Sequence, residues 1–280
     1  AASDVYKRQV EDWEKLPLPI QYICCSHRRM MQAAHWNEGN YRHYVAAFQH
    51  YTRIVARQIE SVLEALYSTP AGKNTIVIVL ADHGDGMGSH RMVTKQVSFY
   101  EEMTNVPFII AGPGIHPRQK PVEDLLTQPT IDLLPTLCEL AGIPVPSSKP
   151  GISLAPFLKG EKQKRQHPYA ASEWHSEYEV TVSPGRMIRS PRYKYTHYLE
   201  GNGEELYDML KDKGERRNLA HDPKYSKILA EHRALLDDYI RRTQDDYRSL
   251  KVEADKRWRS HAPGYPNHEG PCTRDIINRK

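Results

Sequence analysis

The feature that most constrains the fold is an apolar, β-branched run that ends in a polar, glycine-rich turn. Residues 75–81 read Thr-Ile-Val-Ile-Val-Leu-Ala, and Asp82, His83 and Gly84 follow directly. A run without polar alternation is typical of a strand covered on both faces, so we predict a strand over 75–80 in the middle of a parallel sheet. Because ligands of open α/β sheets gather beyond the carboxyl ends of the strands, Asp82 and His83 lie at a candidate site.

The sequence on either side of this run predicts an α/β unit. Apolar residues between 41 and 67 recur at steps of three and four, which indicates one long helix with an apolar face. A second apolar strand is predicted over 106–110. A short helix is predicted over 131–140, which requires Pro135 to lie in or near its first turn.

Beyond about residue 160 the pattern changes to that of a small antiparallel sheet with one helix. Strands are predicted at 187–189, 193–198 and 205–207. Asp222 followed by Pro223 predicts a helix start, because aspartate caps helices and proline favours the first helical position. We predict an α/β domain over 10–160, an α+β subdomain over 161–260 and a loosely attached tail over 261–280.

Composition excludes few classes of protein. The 280 residues contain no apolar run near the ~20 residues that a membrane span needs, so no span is predicted. The net charge of +4 is the balance of 39 basic and 35 acidic residues, and it does not by itself require a polyanionic partner. Arg192 and Lys194, with nearby Arg186, form a basic strand face, but the tyrosines there alternate as strand packing demands, so no nucleic-acid partner is predicted. The four cysteines form neither a disulfide framework nor a zinc pattern.

The beginning of the chain is unusual. The first nine residues, AASDVYKRQ, resemble a translated sequencing-adapter junction, and no initiator methionine is present. We therefore expect the native N-terminus to lie upstream, and the absence of a targeting signal carries no meaning.

Asp82 and His83 allow two interpretations when taken alone. A carboxylate beside an imidazole suits a hard or borderline divalent cation, since both side chains can point into one crevice from a turn. The alternative is that Asp82 caps a turn and His83 is an ordinary loop histidine. The isolated tripeptide favours the alternative, because short motifs occur often by chance.

The residues around the tripeptide resemble the second signature region of the type I sulfatase family, in the alkaline-phosphatase-like superfamily. In that family a strand ends in Asp-His-Gly or Asp-Asn-Gly, and a Gly-x-His, a lysine five residues later, Tyr-Glu-Glu and a Val-Pro strand follow. Here the corresponding residues are His90, Lys95, Tyr100-Glu101-Glu102 and Val106-Pro107. The resemblance continues at 130–137, 141–143, 187–189, 192–195, 205–208 and 218–219, and covers most of 41–245.

The resemblance implies an α/β sheet sandwich of the alkaline-phosphatase and sulfatase type, shortened on its N-terminal side, with a small α+β C-terminal subdomain. It implies that Asp82 and His83 are ligands of a calcium ion and that Lys95 holds an oxygen of the substrate sulfate. Either role suits the residue type. His90 is close enough in sequence to contact the substrate or donate a proton, although a structural role is at least as well supported. Glu101 and Glu102 are expected in a helix or turn that positions the next strand.

Other parts of the family pattern are missing. The family nucleophile is a formylglycine made from Cys/Ser-x-Pro-x-Arg, and no such motif occurs in the sequence. Residues 25–29 (Cys-Ser-His-Arg-Arg) have its spacing, but His27 replaces the proline and the segment is too close to Asp82. The first acidic metal pair and the upstream catalytic Lys and His are not identifiable either, and His35 lacks their context. We expect the C-terminal part of a calcium-dependent sulfatase, inactive by itself.

Two rival functions remain open from the sequence. One is a phosphonate or phosphate ester hydrolase of the same superfamily, and the other is a non-catalytic, sulfatase-derived binding module. The expected substrate is a sulfated small molecule or glycan, and the full-length protein is expected in the periplasm or outside the cell. Trp174, His175, Arg189 and His197 are candidates for a substrate rim, with packing in a β-meander as the alternative. The sequence does not specify an oligomeric state.

Overall fold

The computed structural model describes most of the chain between residues 16 and 250. The described residues are 16–17, 19–20, 36–93, 95, 98–118, 120–122, 125–147, 150–162, 167–174, 184–199 and 203–250. The chain divides into two compact units. Unit 1 comprises Ala1–Ala47, His83–Asn105 and Ala171–Lys280, and unit 2 comprises Phe48–Asp82 and Val106–Ala170. The domain limits drawn from the sequence stay a prediction.

Five α-helices and six strands occur in the described residues. The helices are α1 (Glu38–Tyr67), α2 (Glu101–Thr104), α3 (Pro129–Ala141), α4 (Ala155–Leu158) and α5 (Ser226–Thr243). The strands are β1 (Val77–Leu80), β2 (Phe108–Ala111), β3 (Ala170–Trp174), β4 (Gly185–Arg189), β5 (Tyr193–Tyr198) and β6 (Gly203–Asp208). Short 3-10 turns lie at Pro70–Asn74, Ser89–Arg91, Pro223–Tyr225 and Tyr247–Ser249. None of the described helices has the length and hydropathy that crossing a bilayer requires.

The sheet of unit 2 corrects one prediction. Strands β1 and β2 pair antiparallel, with Leu80 opposite Phe108, so the predicted parallel arrangement is wrong. Burial is also less complete than predicted, because Leu80 is 40% exposed and Ile109 is 57% exposed. An apolar run reports what a strand can bury, but it carries no information on the direction of the neighbouring strand or on what covers its faces.

Helix α1 confirms the predicted long helix, beginning three residues earlier than its apolar pattern. Only Tyr41 and Val45, both in unit 1, are buried along it. Tyr44, Leu63 and Leu66 are half-buried. The other residues of the apolar stripe are exposed, and Tyr51 and Val62 each keep 68% of their surface in solvent. Periodicity therefore predicted the helix correctly but not its burial.

Helix α3 of unit 2 begins earlier than predicted and contains Pro135 in its interior instead of its first turn. Proline has no N–H, so the Ile131 carbonyl one turn earlier loses its usual partner. Gly151 lies against that carbonyl, and a Cβ on Gly151 would be 2.1 Å from the Ile131 oxygen. Buried Asp132 joins the same segments, since its carboxylate accepts from the Ile152 N–H and lies 2.7 Å from His167 Nε2.

Unit 1 contains a four-stranded sheet in the order β3-β4-β5-β6, in which β5 pairs antiparallel with both β4 and β6. The three predicted strands of this half are confirmed, whereas β3 has no counterpart in the prediction. Phe99 and Trp174 stack in the core with ring centroids 4.5 Å apart. Helix α5 packs against the sheet through Leu229 and fully buried Leu236. The predicted helix start is also confirmed, because the Asp222 carboxylate accepts from the backbone N–H two residues later.

Candidate functional site

The Asp-His-Gly turn begins where β1 ends. Asp82, the last residue of that segment of unit 2, and His83, the first of the next segment of unit 1, are both exposed. The Nδ1 atom of His83 lies 3.0 Å from the Gly84 carbonyl oxygen. Gly84 donates its N–H to the Met103 carbonyl at 3.0 Å. A Cβ on Gly84 would lie 1.8 Å from the Glu102 carbonyl oxygen, so this close approach to α2 requires glycine.

The residues after the turn fold back into a tight loop. Gly88 has a left-handed backbone and donates to the Met92 carbonyl at 2.7 Å. Gly86 faces the same carbonyl, from which a Cβ on it would be only 2.3 Å away. Met87 and His90 also have positive φ angles, 53° and 51°. The glycine-rich pattern is therefore required by close backbone packing in the loop.

His90 is buried, and its ring stacks on Tyr100 with centroids 3.7 Å apart and planes 5° apart. Its ligand atoms converge with those of Glu102 and Glu215 to within 4.8 Å, a set of donors able to hold a metal ion. The ammonium of Lys194, however, already lies 2.8 Å from the Glu215 carboxylate and supplies positive charge there. The environment of His90 supports the structural role.

Lys95 is exposed, as a residue that binds an anionic substrate must be. Two residues before Lys95, the Val93 carbonyl accepts a hydrogen bond from the Tyr44 hydroxyl. Burial, together with the nearby charge of Asp85, raises the pKa of Tyr44 to about 12, so this hydroxyl remains a donor at neutral pH. The roles predicted for Asp82, His83, His90 and Lys95 stay predictions.

A buried ion cluster at the start of α2 was not predicted. Lys194 and Glu215 are each 1% exposed, and Lys194 Nζ lies 2.8 Å from an oxygen of Glu215 and 2.8 Å from an oxygen of Glu101. Burial raises the pKa of Glu215 to about 7, against the opposing effect of Lys194. Burial acts on Glu101 in the same direction, but Lys194, Arg189 and Asn105 together outweigh it, and the pKa of Glu101 is lowered.

The interpretation of Lys194 as part of a basic strand face is corrected by this cluster. Arg186 is buried as well and pairs with Asp245 at 2.6 Å, which leaves Arg192, 44% exposed, as the accessible cation of the three. The sequence pattern did not show that Arg186 and Lys194 are buried, or that each pairs with a carboxylate.

A second unpredicted feature is the fully buried carboxylate of Glu205. The hydroxyls of Tyr198, Tyr207 and Tyr100 donate to it at 2.8, 2.9 and 3.1 Å. Burial raises the pKa of Glu205, and the three hydrogen bonds oppose that rise. Tyr100, which stacks on His90, thereby connects the loop to strand β6.

The candidate rim residues have internal partners. Trp174 is buried against Phe99, Arg189 Nε lies 3.6 Å from a Glu101 carboxylate oxygen, and His197 Nδ1 lies 2.8 Å from the Tyr247 hydroxyl. These contacts agree with the packing alternative. His175, His27, His35 and the segment 25–29 lie outside the described residues.

Comparison with known proteins identifies the family. Residues 88–242 match the family described as N-sulphoglucosamine sulphohydrolase, C-terminal, and residues 8–143 match the family described as Sulfatase. Over 271 residues the chain is 76% identical to a Delta 4,5-hexuronate-2-O-sulfatase of Bacteroides thetaiotaomicron. The aligned residues cover 97% of this chain and 56% of that relative.

Solved structures agree. A 2-O GAG sulfatase superposes with a TM-score of 0.88 at 76% identity, over 96% of this chain and 58% of that one. A phosphonate monoester hydrolase of Agrobacterium radiobacter superposes with a TM-score of 0.56 at 27% identity, over 65% of this chain and 38% of that one.

The chain spans about half the length of these two sulfatases. The matches confirm the predicted family and the α/β, sulfatase-like fold class. The chain therefore belongs to the sulfatase family of the alkaline-phosphatase-like superfamily.

Proposed function

We propose that the protein containing this chain is a sulfuric ester hydrolase that removes a 2-O-sulfate from an unsaturated hexuronate of a sulfated glycan. The observation that carries the proposal is the 76% identity over 271 residues to a Delta 4,5-hexuronate-2-O-sulfatase. The phosphonate monoester hydrolase shares the fold at only 27% identity, which favours the sulfatase over that rival.

Lys95 is proposed to bind an oxygen of the sulfate group. Its exposed ammonium is a point charge that suits a tetrahedral anion, and it offsets the charge that grows on the sulfuryl oxygens as the ester bond breaks. Hydrolysis consumes one water molecule. The oxygen of that water ends bonded to sulfur, and the sugar oxygen leaves sulfur and takes up a proton to become a hydroxyl.

Asp82 and His83 are proposed as calcium ligands. Their exposed positions after β1 and the carboxylate oxygen of Asp82 fit this role, although two side chains cannot fill the ~6–8 ligand positions that calcium prefers. On the family resemblance, further acidic ligands and the formylglycine nucleophile are proposed to lie in the part of the relatives' length that this chain does not span. When bound, calcium would neutralise charge on the sulfate oxygens.

The test is release of sulfate from a 2-O-sulfated, 4,5-unsaturated hexuronate disaccharide by the complete protein, with an aryl sulfate and a phosphonate monoester as comparisons. We expect rapid release from the disaccharide. Turnover of the phosphonate alone would favour the rival hydrolase, and binding of the disaccharide without any turnover would favour the non-catalytic module. The 280-residue chain alone is expected to release no sulfate.

A periplasmic or secreted location is also proposed, on the family resemblance. Fractionation of cells that express the complete protein tests it, and recovery only with cytoplasmic markers contradicts it.

A further inference from the structure

The buried cation Lys194 reaches the chain just before α2. Its Nζ lies 2.8 Å from the Phe99 carbonyl oxygen, 2.8 Å from a Glu101 carboxylate oxygen and 2.8 Å from a Glu215 carboxylate oxygen. The ammonium donates a hydrogen bond to the Phe99 carbonyl, and the two carboxylate oxygens lie at ion-pair distance from it. Strand β5 thereby holds both the main chain and a side chain at the start of α2.

Glu215 holds the same helix end through its second oxygen. That oxygen accepts from the Glu101 backbone N–H at 2.7 Å, one of the N–H groups that a helix cannot satisfy internally. Glu215 is itself fixed in a turn, since its own N–H donates to the Asp212 carbonyl at 3.1 Å. The start of α2 is therefore held by two buried, oppositely charged side chains from the other half of the sequence.

The far end of α2 supports the Asp-His-Gly turn. Gly84 donates to the Met103 carbonyl at 3.0 Å and leaves no room for a Cβ beside the Glu102 carbonyl. With four residues, α2 is far too short to be stable alone, so its position depends on what holds it. A shift at Glu101 must be transmitted to Gly84, because one short helical turn separates them.

We infer that the Lys194–Glu215 pair is a positioning device that sets the place of the Asp-His-Gly turn through α2. Neither residue is proposed as a catalytic residue. The inference rests on the proposed function only in assigning metal binding to the turn. The connection from Lys194 and Glu215 to Gly84 rests on the contacts alone.

A purely structural role makes a different prediction. Buried ion pairs often contribute little net stability, because desolvation offsets their attraction. If Lys194 and Glu215 serve only stability, their replacement should loosen the sheet and the turn alike. A positioning role predicts a selective effect on the turn.

Residue-resolved hydrogen exchange on the complete protein, without calcium or substrate, separates the two. In Glu215→Gln we expect the Gly84 amide to exchange at least tenfold faster. The amide of Leu219, which donates to the Leu206 carbonyl at 2.8 Å, reports on the sheet and should change by less than threefold. Asp245→Asn is the matched control, because it weakens the buried Arg186–Asp245 pair of the same unit. It should not accelerate Gly84 selectively.

Equal acceleration at Gly84 and Leu219, or none at Gly84, overturns the inference. If Glu215→Gln does not fold, the neutral pair Lys194→Met with Glu215→Gln replaces both charges together, and the same selective loss at Gly84 is expected. A calcium titration of the complete protein adds the functional readout, with affinity at least tenfold weaker in Glu215→Gln. Selective exchange in a protein whose unaltered form binds no calcium would refute the proposed function and leave the positioning inference intact.

Discussion

The Gly84 N–H donates to the Met103 carbonyl at 3.0 Å, and this one hydrogen bond joins the Asp-His-Gly turn to helix α2. The approach is possible because Gly84 has no side chain: a Cβ there would be 1.8 Å from the Glu102 carbonyl oxygen. The glycine of the motif is thus required by packing, whereas the two residues before it face solvent.

Gly84→Ala should therefore destabilise the chain by about 3 kcal/mol or more, because a backbone carbonyl must move to admit the methyl group. Urea unfolding measures the change. Gly114→Ala is the control: its Cβ meets nothing within 4 Å, so only its φ of 74° opposes the substitution, at a cost of about 1 kcal/mol. Equal losses for the two variants would show that Gly84 is not sterically restricted.

Removing one donor from Glu205 should also be costly. Tyr198→Phe leaves the fully buried carboxylate with two hydroxyl donors, Tyr207 and Tyr100, and should lower the free energy of unfolding by about 1–3 kcal/mol. Tyr51→Phe, at a position 68% exposed, should change it by less than about 0.5 kcal/mol. Combining Tyr198→Phe with Tyr207→Phe should not give the sum of the single effects, because both donate to one carboxylate. Strict additivity would contradict a shared network.

The contribution of Glu215 to stability should fall as pH rises from about 5 to 8. The pKa of Glu215 is raised from 4.5 to about 7 by burial, beside Lys194 and Glu101. Between pH 4.5 and about 7, Glu215 holds a proton in the folded chain but not in the unfolded chain. The stability that Glu215 contributes is therefore fully present below pH 4.5 and is lost as pH rises through about 7. The loss from this group is at most about 3 kcal/mol. Glu205, whose pKa is also raised, acts in the same direction.

Urea unfolding at a series of pH values measures this slope. Glu215→Gln should flatten it without abolishing it, because Glu205 still titrates. At low pH the opposite dependence is expected, since the pKa of Glu101 is lowered and its contribution is lost as pH falls through that value. Burial lowers the pKa of His232, which makes stability rise with pH in the same range, so the test is the difference between the two curves. A difference, wild type minus Glu215→Gln, that does not fall between pH 5 and 8 would contradict the assignment of Glu215.

Asp82→Ala in the complete protein should lower its calcium content at least tenfold and its rate of sulfate release with it, because a charged ligand is lost. Elemental analysis measures the metal directly. Asp237→Asn, which removes an exposed carboxylate paired with Arg248, is the control and should leave the calcium content unchanged. Full calcium occupancy in Asp82→Ala would remove Asp82 from the proposed site.

The local elements were largely predictable because each depends on neighbours in sequence. The spacing of apolar residues between 41 and 67 predicted α1, and Asp222 with Pro223 predicted the start of the last helix. Strand β3 was missed, and Pro135 was placed too near the start of its helix. Gly151, sixteen residues after Pro135, lies close to the Ile131 carbonyl, and no local signal in the sequence announces that contact.

The candidate site divides in the same way. The order Asp82, His83, Gly84, His90 and Lys95 identified the family from sequence alone, since spacing along the chain is a property of the sequence. The burial of His90 beneath Tyr100, the antiparallel direction of β1 and β2, and the partners of Lys194 were decided by the tertiary structure. Lys194 and Glu215 lie 110 and 131 residues after Gly84 of the turn that they are proposed to position. Folding brings Lys194 and Glu215 to α2. The cost of burying the Lys194 charge is offset there by Glu215 and by Glu101, which is remote in sequence.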